Sequence, residues 1–432
     1  LMPSVESESE GPAPTSKTAK KKGILRSLGP GIVAGAADDD PSGIATYSIT
    51  GAQFGTALLW TSIFLWPLMA AVQAMCARIG MVTGRGLVGA LRTKYPRWII
   101  LIASLLLFLA NAINIGADLA GMSDALEMLT NADSHLTTVL FGVGIAWATI
   151  RFRYATMAKV LKWMALVLFA YVVTAIRLSP DWGDVARATF VPVVPSSKEA
   201  WATLVAILGT SISPYLFFWQ ASQEVEEEKS LGRLSETDRR GATPTEIRHR
   251  KIDVGLGTLV SNIAMFFIIL TTALTLHKSG ITSVSSSREV ASALKPLAGS
   301  SATLLYTLGI LGTGVLAIPV LAGSAAYAFA EIFDWRQGMD EGLRGAPAFY
   351  AVLILALAFG VGLDALNVNP VRALYLSAVV NGLLAPPLLI AILFAASDRR
   401  LMLDQPSSWL GRLTVGTTVV VMVGASIAMF VL

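Results

Sequence analysis

The sequence predicts an all-α polytopic membrane protein with about eleven transmembrane helices, the first and sixth of them broken at mid-membrane. Three observations predict it. Of 432 residues, 54% are hydrophobic and only 14% charged, with a mean hydropathy of +0.63; a soluble domain carries about 25% charged residues. The apolar residues are gathered into runs that fit ~30 Å of hydrocarbon as helices. Two of those runs carry a central proline, Pro41 and Pro214, among small and hydroxyl residues.

The first span, about 24–54, holds Gly29-Pro30-Gly31-Ile32-Val33-Ala34-Gly35-Ala36-Ala37-Asp38-Asp39-Asp40-Pro41-Ser42-Gly43. A carboxylate at the centre of an apolar span costs a few kcal/mol and marks a transport path more often than it serves packing. Pro41 removes a backbone donor, and Gly43 lowers the cost of unwinding. We therefore expect a broken helix, with carboxylates and freed carbonyls at the break. Freed backbone survives at that depth only where it is buried in protein or lines a cavity. The plainer alternative, an exposed loop between two short helices, leaves two apolar runs each too short to span alone.

The remaining spans fall at about 56–80, 98–121, 136–150, 155–176, 199–222, 253–276, 302–332, 346–362, 370–396 and 410–431. Residues 1–23, polar and carrying Lys20, Lys21 and Lys22, read as a disordered cytoplasmic tail. Lys and Arg gather in alternate loops: Arg78, Arg85, Arg92, Lys94 and Arg97, then Lys229, Arg233, Arg239, Arg240, Arg248, Arg250 and Lys251. These loops are placed inside, so the N-terminus is expected in the cytoplasm and the C-terminus outside. The same distribution accounts for the net charge of +4 without a nucleic-acid partner. Cys76 is the only cysteine, which excludes an intramolecular disulfide and a thiolate metal cluster. His135, His249 and His277 fall at or near expected loops, which argues against a histidine-rich site within the membrane.

The sixth span reads Leu208-Gly209-Thr210-Ser211-Ile212-Ser213-Pro214-Tyr215-Leu216. Its proline lies five spans after Pro41, and an odd offset turns the second half upside down relative to the first. Two interrupted helices at corresponding positions of inverted halves point to the central site of a transporter. The halves are 24–176 and 199–396, with 410–432 as an added eleventh helix.

At the breaks, Asp40 is the expected direct metal ligand. Asp39 is expected behind it or in the wall of the site, because successive helical residues differ by about 100°. Ser213 offers a hydroxyl; Thr210 and Gly43 offer backbone carbonyls. Neither motif holds a sulfur or imidazole. Carboxylate, carbonyl and water suit Mg²⁺, Ca²⁺ and Mn²⁺, and Mg²⁺ keeps several waters around one or two carboxylates. Glu224, Glu226, Glu227 and Glu228 could line an acidic inner vestibule or form a solvated helix end. Asn111, Asn114 and Asp118 share one face of the third span, as a polar path or as helix contacts.

Gly29-Pro30 through Asp40-Pro41-Ser42-Gly43, then Ala45-Thr46, Gly51-Ala52 and Phe54-Gly55, resembles the first helix of the Nramp family of divalent-metal transporters, which has Asp-Pro-Gly-Asn there. Ala117-Asp118-Leu119-Ala120-Gly121 is similar to that family's Thr-Asp-Leu-Ala-Glu, and Gly209 to Tyr215 to its Ala-Thr-Val-Met-Pro-His. The resemblance covers nearly all spans and implies a LeuT-like fold with a five-plus-five inverted repeat. It implies that Asp40 keeps the family's metal-binding aspartate. The family's asparagine ligand aligns with Gly43, its methionine with Ser213, its histidines with Tyr215 and Gln220, and its third-helix glutamate with Gly121. Its tenth-helix glutamine aligns with Ala378, and Asn381 one turn on could substitute. Of the proton-route residues, Asp118 survives. These losses look like those of the Nramp-related magnesium transporters, a bacterial branch.

The expected function is therefore a secondary carrier of hydrated Mg²⁺, and also Mn²⁺, working by alternating access as a monomer in a bacterial plasma membrane, with no resident cofactor and no enzymatic activity. Without a titrating relay, proton coupling is not expected, and a negative-inside potential would drive a divalent cation inward by about 4.6 kcal/mol per 100 mV. The alternatives are a proton-coupled Mn²⁺/Fe²⁺ importer of the ordinary Nramp type and a sodium-coupled carrier of organic solutes. Three aspartates at the first break would repel an organic carboxylate. A membrane enzyme or receptor finds no support in a chain with no sizeable soluble domain.

Overall fold

The computed structural model describes residues 30–152, 156, 166–193 and 196–431. The expected tail at 1–23, the start of the first span and most of the first half of the fifth lie outside the described residues.

Among the described residues every regular element is a helix. The first break stands where the sequence placed it. Helix α1 (Pro30–Asp38) ends, and α2 (Pro41–Phe54) starts with Asp40 as its N-cap and Pro41 in its first turn, where a missing N–H costs nothing. Then follow α3 (Trp60–Thr83), the short α4 (Leu87–Leu91), α5 (Arg97–Thr130), α6 (Ser134–Arg151), α7 (Phe169–Arg177) and α8 (Trp182–Phe190). The second break separates α9 (Lys198–Ser211) from α10 (Pro214–Ser230), again with proline in the first turn of the second piece. The long helices α11 (Pro244–Thr275), α12 (Ala302–Phe333), α13 (Pro347–Leu363), α14 (Pro370–Ser397) and α15 (Trp409–Val431) complete the chain.

Among the described residues eight segments are long and apolar enough to cross a membrane, with α9 and α10 taken together as one of them. At 14 residues, α2 is too short to cross alone. The surface is inverted relative to a soluble protein. Asp38, Asp40, Asn111, Asn114 and Asp118 are buried, while Ile102, Leu105, Val143, Trp147, Val420 and Phe430 are exposed. Apolar side chains outside and polar ones within suit a lipid surround.

Three boundaries differ from expectation. Helix α11 begins nine residues before the expected 253, because Thr243 and Glu246 close a capping box around Pro244. His249 and Arg250 therefore sit on a helix rather than in a loop. Helix α5 continues past the expected 121 to Thr130, and α10 past the expected 222 to Ser230, which places the four glutamates on α10.

Glycines set how closely the central helices approach. A Cβ on Gly31 would lie 2.6 Å from the Val254 nitrogen, and one on Gly35 would lie 2.8 Å from the Gly257 Cα, so α1 rests backbone to backbone on α11. Gly209 of α9 meets Gly382 of α14 in the same way. The α5–α13 crossing is made by Gly116 and Gly360. Such small-residue contacts let helices associate where no hydrophobic driving force separates protein from solvent.

Candidate cation site at the helix breaks

Asp40 holds an extended conformation (φ −73°, ψ 169°). Its Oδ1 accepts the Gly43 N–H at 2.7 Å, the capping bond that starts α2. Its Oδ2 accepts from Asn114 Nδ2 at 3.0 Å. The same amide nitrogen donates to Asp118 Oδ2 at 3.1 Å, and Asn114 Oδ1 accepts from Asn381 Nδ2 at 3.2 Å. Residues of α2, α5 and α14 are thus joined in one buried chain of hydrogen bonds.

At the second break, Ser213 Oγ donates to the carbonyl oxygens of Gly209 (2.8 Å) and Thr210 (2.7 Å). Two hydrogen bonds latch the breaks together. Tyr215 Oη donates to the Ala37 carbonyl at 3.1 Å, and Tyr47 Oη lies 3.1 Å from Ser211 Oγ. The Thr210 hydroxyl would be 3.1 Å from a Cβ on Gly43, so no side chain separates the two breaks there.

Asp38 and Asp39 turn elsewhere. Ser261 of α11 places its hydroxyl 2.7 Å from Asp38 Oδ2 and 2.9 Å from Asp39 Oδ1. No Lys, Arg or His is among the hydrogen-bond partners found for Asp38, Asp39, Asp40 and Asp118 in the described residues. The breaks bring together the partly negative C-termini of α1 and α9 and the partly positive N-termini of α2 and α10, the first of these capped by Asp40. A buried region this acidic favours a cation.

The donor set is hard. Thr210 Oγ1, Asp118 Oδ1 and Asn381 Oδ1 are buried oxygens for which no hydrogen-bond partner is found among the described residues. Among the described residues no three or more His, Cys, Asp or Glu side chains cluster to hold a metal by themselves. Among the described residues, Met265 and Met122 bring sulfur near the breaks, and both are otherwise engaged: Met265 Sδ accepts from Ser211, and Met122 occupies the space over Gly314 beside Pro41.

Of the residues chosen from the sequence, Asp40, Gly43 and Thr210 are brought together. Ser213 is adjacent, but its hydroxyl proton is held by its own helix, and Asp39 faces Ser261. The polar face of α5 divides: Asn111 donates to the Leu321 carbonyl and to Ser324, a helix contact, whereas Asn114 and Asp118 join Asp40. Ser261 was not singled out from the sequence; a lone serine in an apolar run carries no signal there.

The glutamates of α10 are neither an open vestibule nor a solvated end. Arg250 binds Glu224 (2.8 Å), Glu227 and Asp253 (2.8 Å), and Gln220 donates to Glu224 at 2.7 Å. Asp253 also accepts the Gly31 N–H at 2.8 Å, so this network ties α10 and α11 to the start of α1. Glu226 and Glu228 are paired with Lys229 and Arg233.

Comparisons with known proteins agree with this architecture. A divalent metal cation transporter, MntH, of Aeromonas hydrophila is 24% identical over 405 residues, covering 90% of this chain and 92% of the relative. A crystal structure of the Eremococcus coleocola manganese transporter superposes with a TM-score of 0.71 at 16% identity, covering 95% of this chain and 88% of the other. Mhp1, a nucleobase-cation-symport-1 family transporter, superposes with a TM-score of 0.55 at 15% identity, covering 93% of this chain and 92% of the other. The two structural likenesses show a shared LeuT-like fold. The family model described as natural resistance-associated macrophage protein-like matches residues 31–432, and the chain belongs to this Nramp family of multi-pass membrane carriers, which are not enzymes.

Proposed function

We propose that the chain carries divalent cations across a bacterial plasma membrane by alternating access, with hydrated Mg²⁺ as a substrate beside Mn²⁺, and without obligatory proton coupling. The divalent substrate class is that named for its relatives, a divalent metal cation transporter and a manganese transporter. The observation that carries the Mg²⁺ reading is the set of buried, unpartnered hard oxygens around Asp40. Mg²⁺ gives up its waters reluctantly and is held through one or two carboxylates plus water. A single direct carboxylate with hydroxyl and amide oxygens behind it matches that habit. A site that stripped the ion would need more direct ligands, and Gly43 supplies no side chain.

In this reading Asp40, the carbonyls of Gly43 and Thr210, and Ser213 contact the ion or its waters, with Asp39 behind. The helices form two inverted sets of five plus an eleventh, working as a single chain, with the N-terminus cytoplasmic and the C-terminus outside. The Arg250 network then lies at the cytoplasmic end, below the site.

The test is uptake into liposomes containing the purified protein, with a Mg²⁺-sensitive and a pH-sensitive dye in parallel, for wild type and Asp40→Ala. Mg²⁺ entry without proton entry, lost in the variant, is expected. Mn²⁺ entry accompanied by protons, with no Mg²⁺ entry, would return the chain to the ordinary proton-coupled importers.

A further inference from the structure

The geometry points to Asp118 as a second carboxylate of the cation site, joined to Asp40 through the Asn114 amide and holding the ion through a water molecule. This inference rests on the reading of the chain as a carrier of hydrated divalent cations.

Asn114 uses all of its amide. Its two hydrogens go to Asp40 Oδ2 and Asp118 Oδ2, and its oxygen accepts from Asn381. The amide is therefore locked, and the two carboxylates stand one amide apart. An ammonium or guanidinium in that place would cancel their charge; a neutral amide orients them and leaves the charge available. No cation fits between the two Oδ2 atoms, because both face amide hydrogens. What remains for an ion is Asp40 on one side and, on the other, Asp118 Oδ1, which is buried and for which no side-chain hydrogen-bond partner is found among the described residues.

The chemistry of the free groups decides between direct contact and contact through water. Waters bound to Mg²⁺ turn their lone pairs to the metal and their hydrogens outward. The best surroundings for such an ion are acceptors. Asp118 Oδ1, Asn381 Oδ1 and Thr210 Oγ1 are among the unpartnered oxygens found in the described residues, contributed by three different helices: two pure acceptors and a hydroxyl that can accept. Groups that act on a metal through its ligands or waters commonly change affinity by about 10–100-fold when removed. The family resemblance gives Asp118 a proton-handling part, and the two roles predict different kinetics.

The experiment measures initial rates of Mg²⁺ and Mn²⁺ uptake into liposomes, resolved into KM and kcat at an acidic and an alkaline pH, for wild type, Asp118→Asn and Asn114→Leu. Expected is a rise in KM for Mg²⁺ of about tenfold or more in both variants, with kcat kept within about threefold. The rise for Mn²⁺ is expected to be smaller, since Mg²⁺ is the more reluctant to lose water. Asp118→Asn is isosteric and tests the charge; if Asn114→Leu fails to fold, Asn114→Ser replaces it, with thermal melting confirming the fold of each. An unchanged KM with an altered pH dependence of the rate would make Asp118 a proton carrier and overturn the inference. A loss of kcat alone would also overturn it. If wild type carries Mn²⁺ but no Mg²⁺, the magnesium reading falls by itself, and the KM for Mn²⁺ in Asp118→Asn still decides whether Asp118 belongs to the ion's surroundings.

Discussion

Gly209 and Gly382 lie backbone against backbone: a Cβ on Gly209 would stand 2.7 Å from the Cα of Gly382. Their chain neighbours, Thr210 and Asn381, each carry one of the unpartnered oxygens near Asp40. The distance between α9 and α14 therefore sets the width of the site. Gly209→Ala must push the helices apart, at about 1–3 kcal/mol for overpacking. The expected outcome is a lower melting temperature in detergent together with weaker cation uptake. Gly424→Ala on α15, where a Cβ meets nothing within 4 Å, is the matched control and should change neither.

Gly43 is the second determinant of room. Its N–H donates to the Asp40 cap, a bond any residue but proline could make, so what glycine contributes is an absent side chain. A Cβ would meet Thr210 Oγ1 at 3.1 Å and Asp40 Oδ1 at 3.5 Å, so a longer side chain has to extend into the space the ion uses. Gly43→Asn should lower Mg²⁺ uptake more than Mn²⁺ uptake, because it displaces water that Mg²⁺ retains. Competition between the two ions in one uptake assay reads the ratio directly. An unchanged ratio would remove Gly43 from the account of selectivity.

Arg250 is the hub of the inner network, and Glu224 beneath it is 1% exposed. Removing one partner of a buried ion pair leaves an uncompensated charge and costs about 3–5 kcal/mol. Arg250→Ala should therefore lower thermal stability strongly. Arg250→Lys should recover only part of it, since a point charge cannot serve Glu224, Glu227 and Asp253 as the guanidinium fork does. The double variant Arg250→Ala, Glu224→Gln should be more stable than Arg250→Ala alone. If it is not, the buried charge is not the source of the loss.

Two ion pairs tie the 84–96 segment to helix ends outside the spans. Arg92 binds Asp334 at the end of α12 through two bonds (2.8 and 3.0 Å), and Lys94 binds Asp398 at the end of α14 (3.1 Å). These partners hold both carboxyls below the ordinary aspartate range. A depressed carboxyl contributes stability above the pKa of the unfolded chain, about 3.9, and loses it as pH falls through the lower folded value. The melting temperatures of wild type and Asp334→Asn should therefore differ at neutral pH and converge below about pH 4. The difference should be small and shrink with added salt, since Asp334 is exposed. A difference that persists at low pH would show that the side chain acts through packing.

The breaks were legible in the sequence because Pro41 and Pro214 act through the backbone of their own helices. Asp40 was singled out from the sequence as the carboxylate next to the break, and the structure places it there as the N-cap of α2, a role the sequence reading did not assign. What was not legible is pairing between distant segments. Ser261 meets Asp38 and Asp39 only because Gly31 and Gly35 let α1 lie on α11, a contact no periodicity announces. Asn111 and Asn114 lie on one face of α5, yet one turns to α12 and the other to Asp40, a division made by the neighbours. Arg250 was assigned to a loop because apolarity begins at Ile252, while the helix is started earlier by the Thr243 cap, whose stabilisation is polar.

The chain of hydrogen bonds from Asp40 through Asn114 to Asn381 also orders events during synthesis. Asp40 leaves the ribosome more than three hundred residues before Asn381 does. Ser261 and Asn114 emerge in between, so the aspartates of the first break wait for their partners while most of the chain is being made. A carboxylate at that depth is costly without them. The nascent first helix is thus expected to stay shielded, by the insertion machinery or at the water interface, until the later helices arrive.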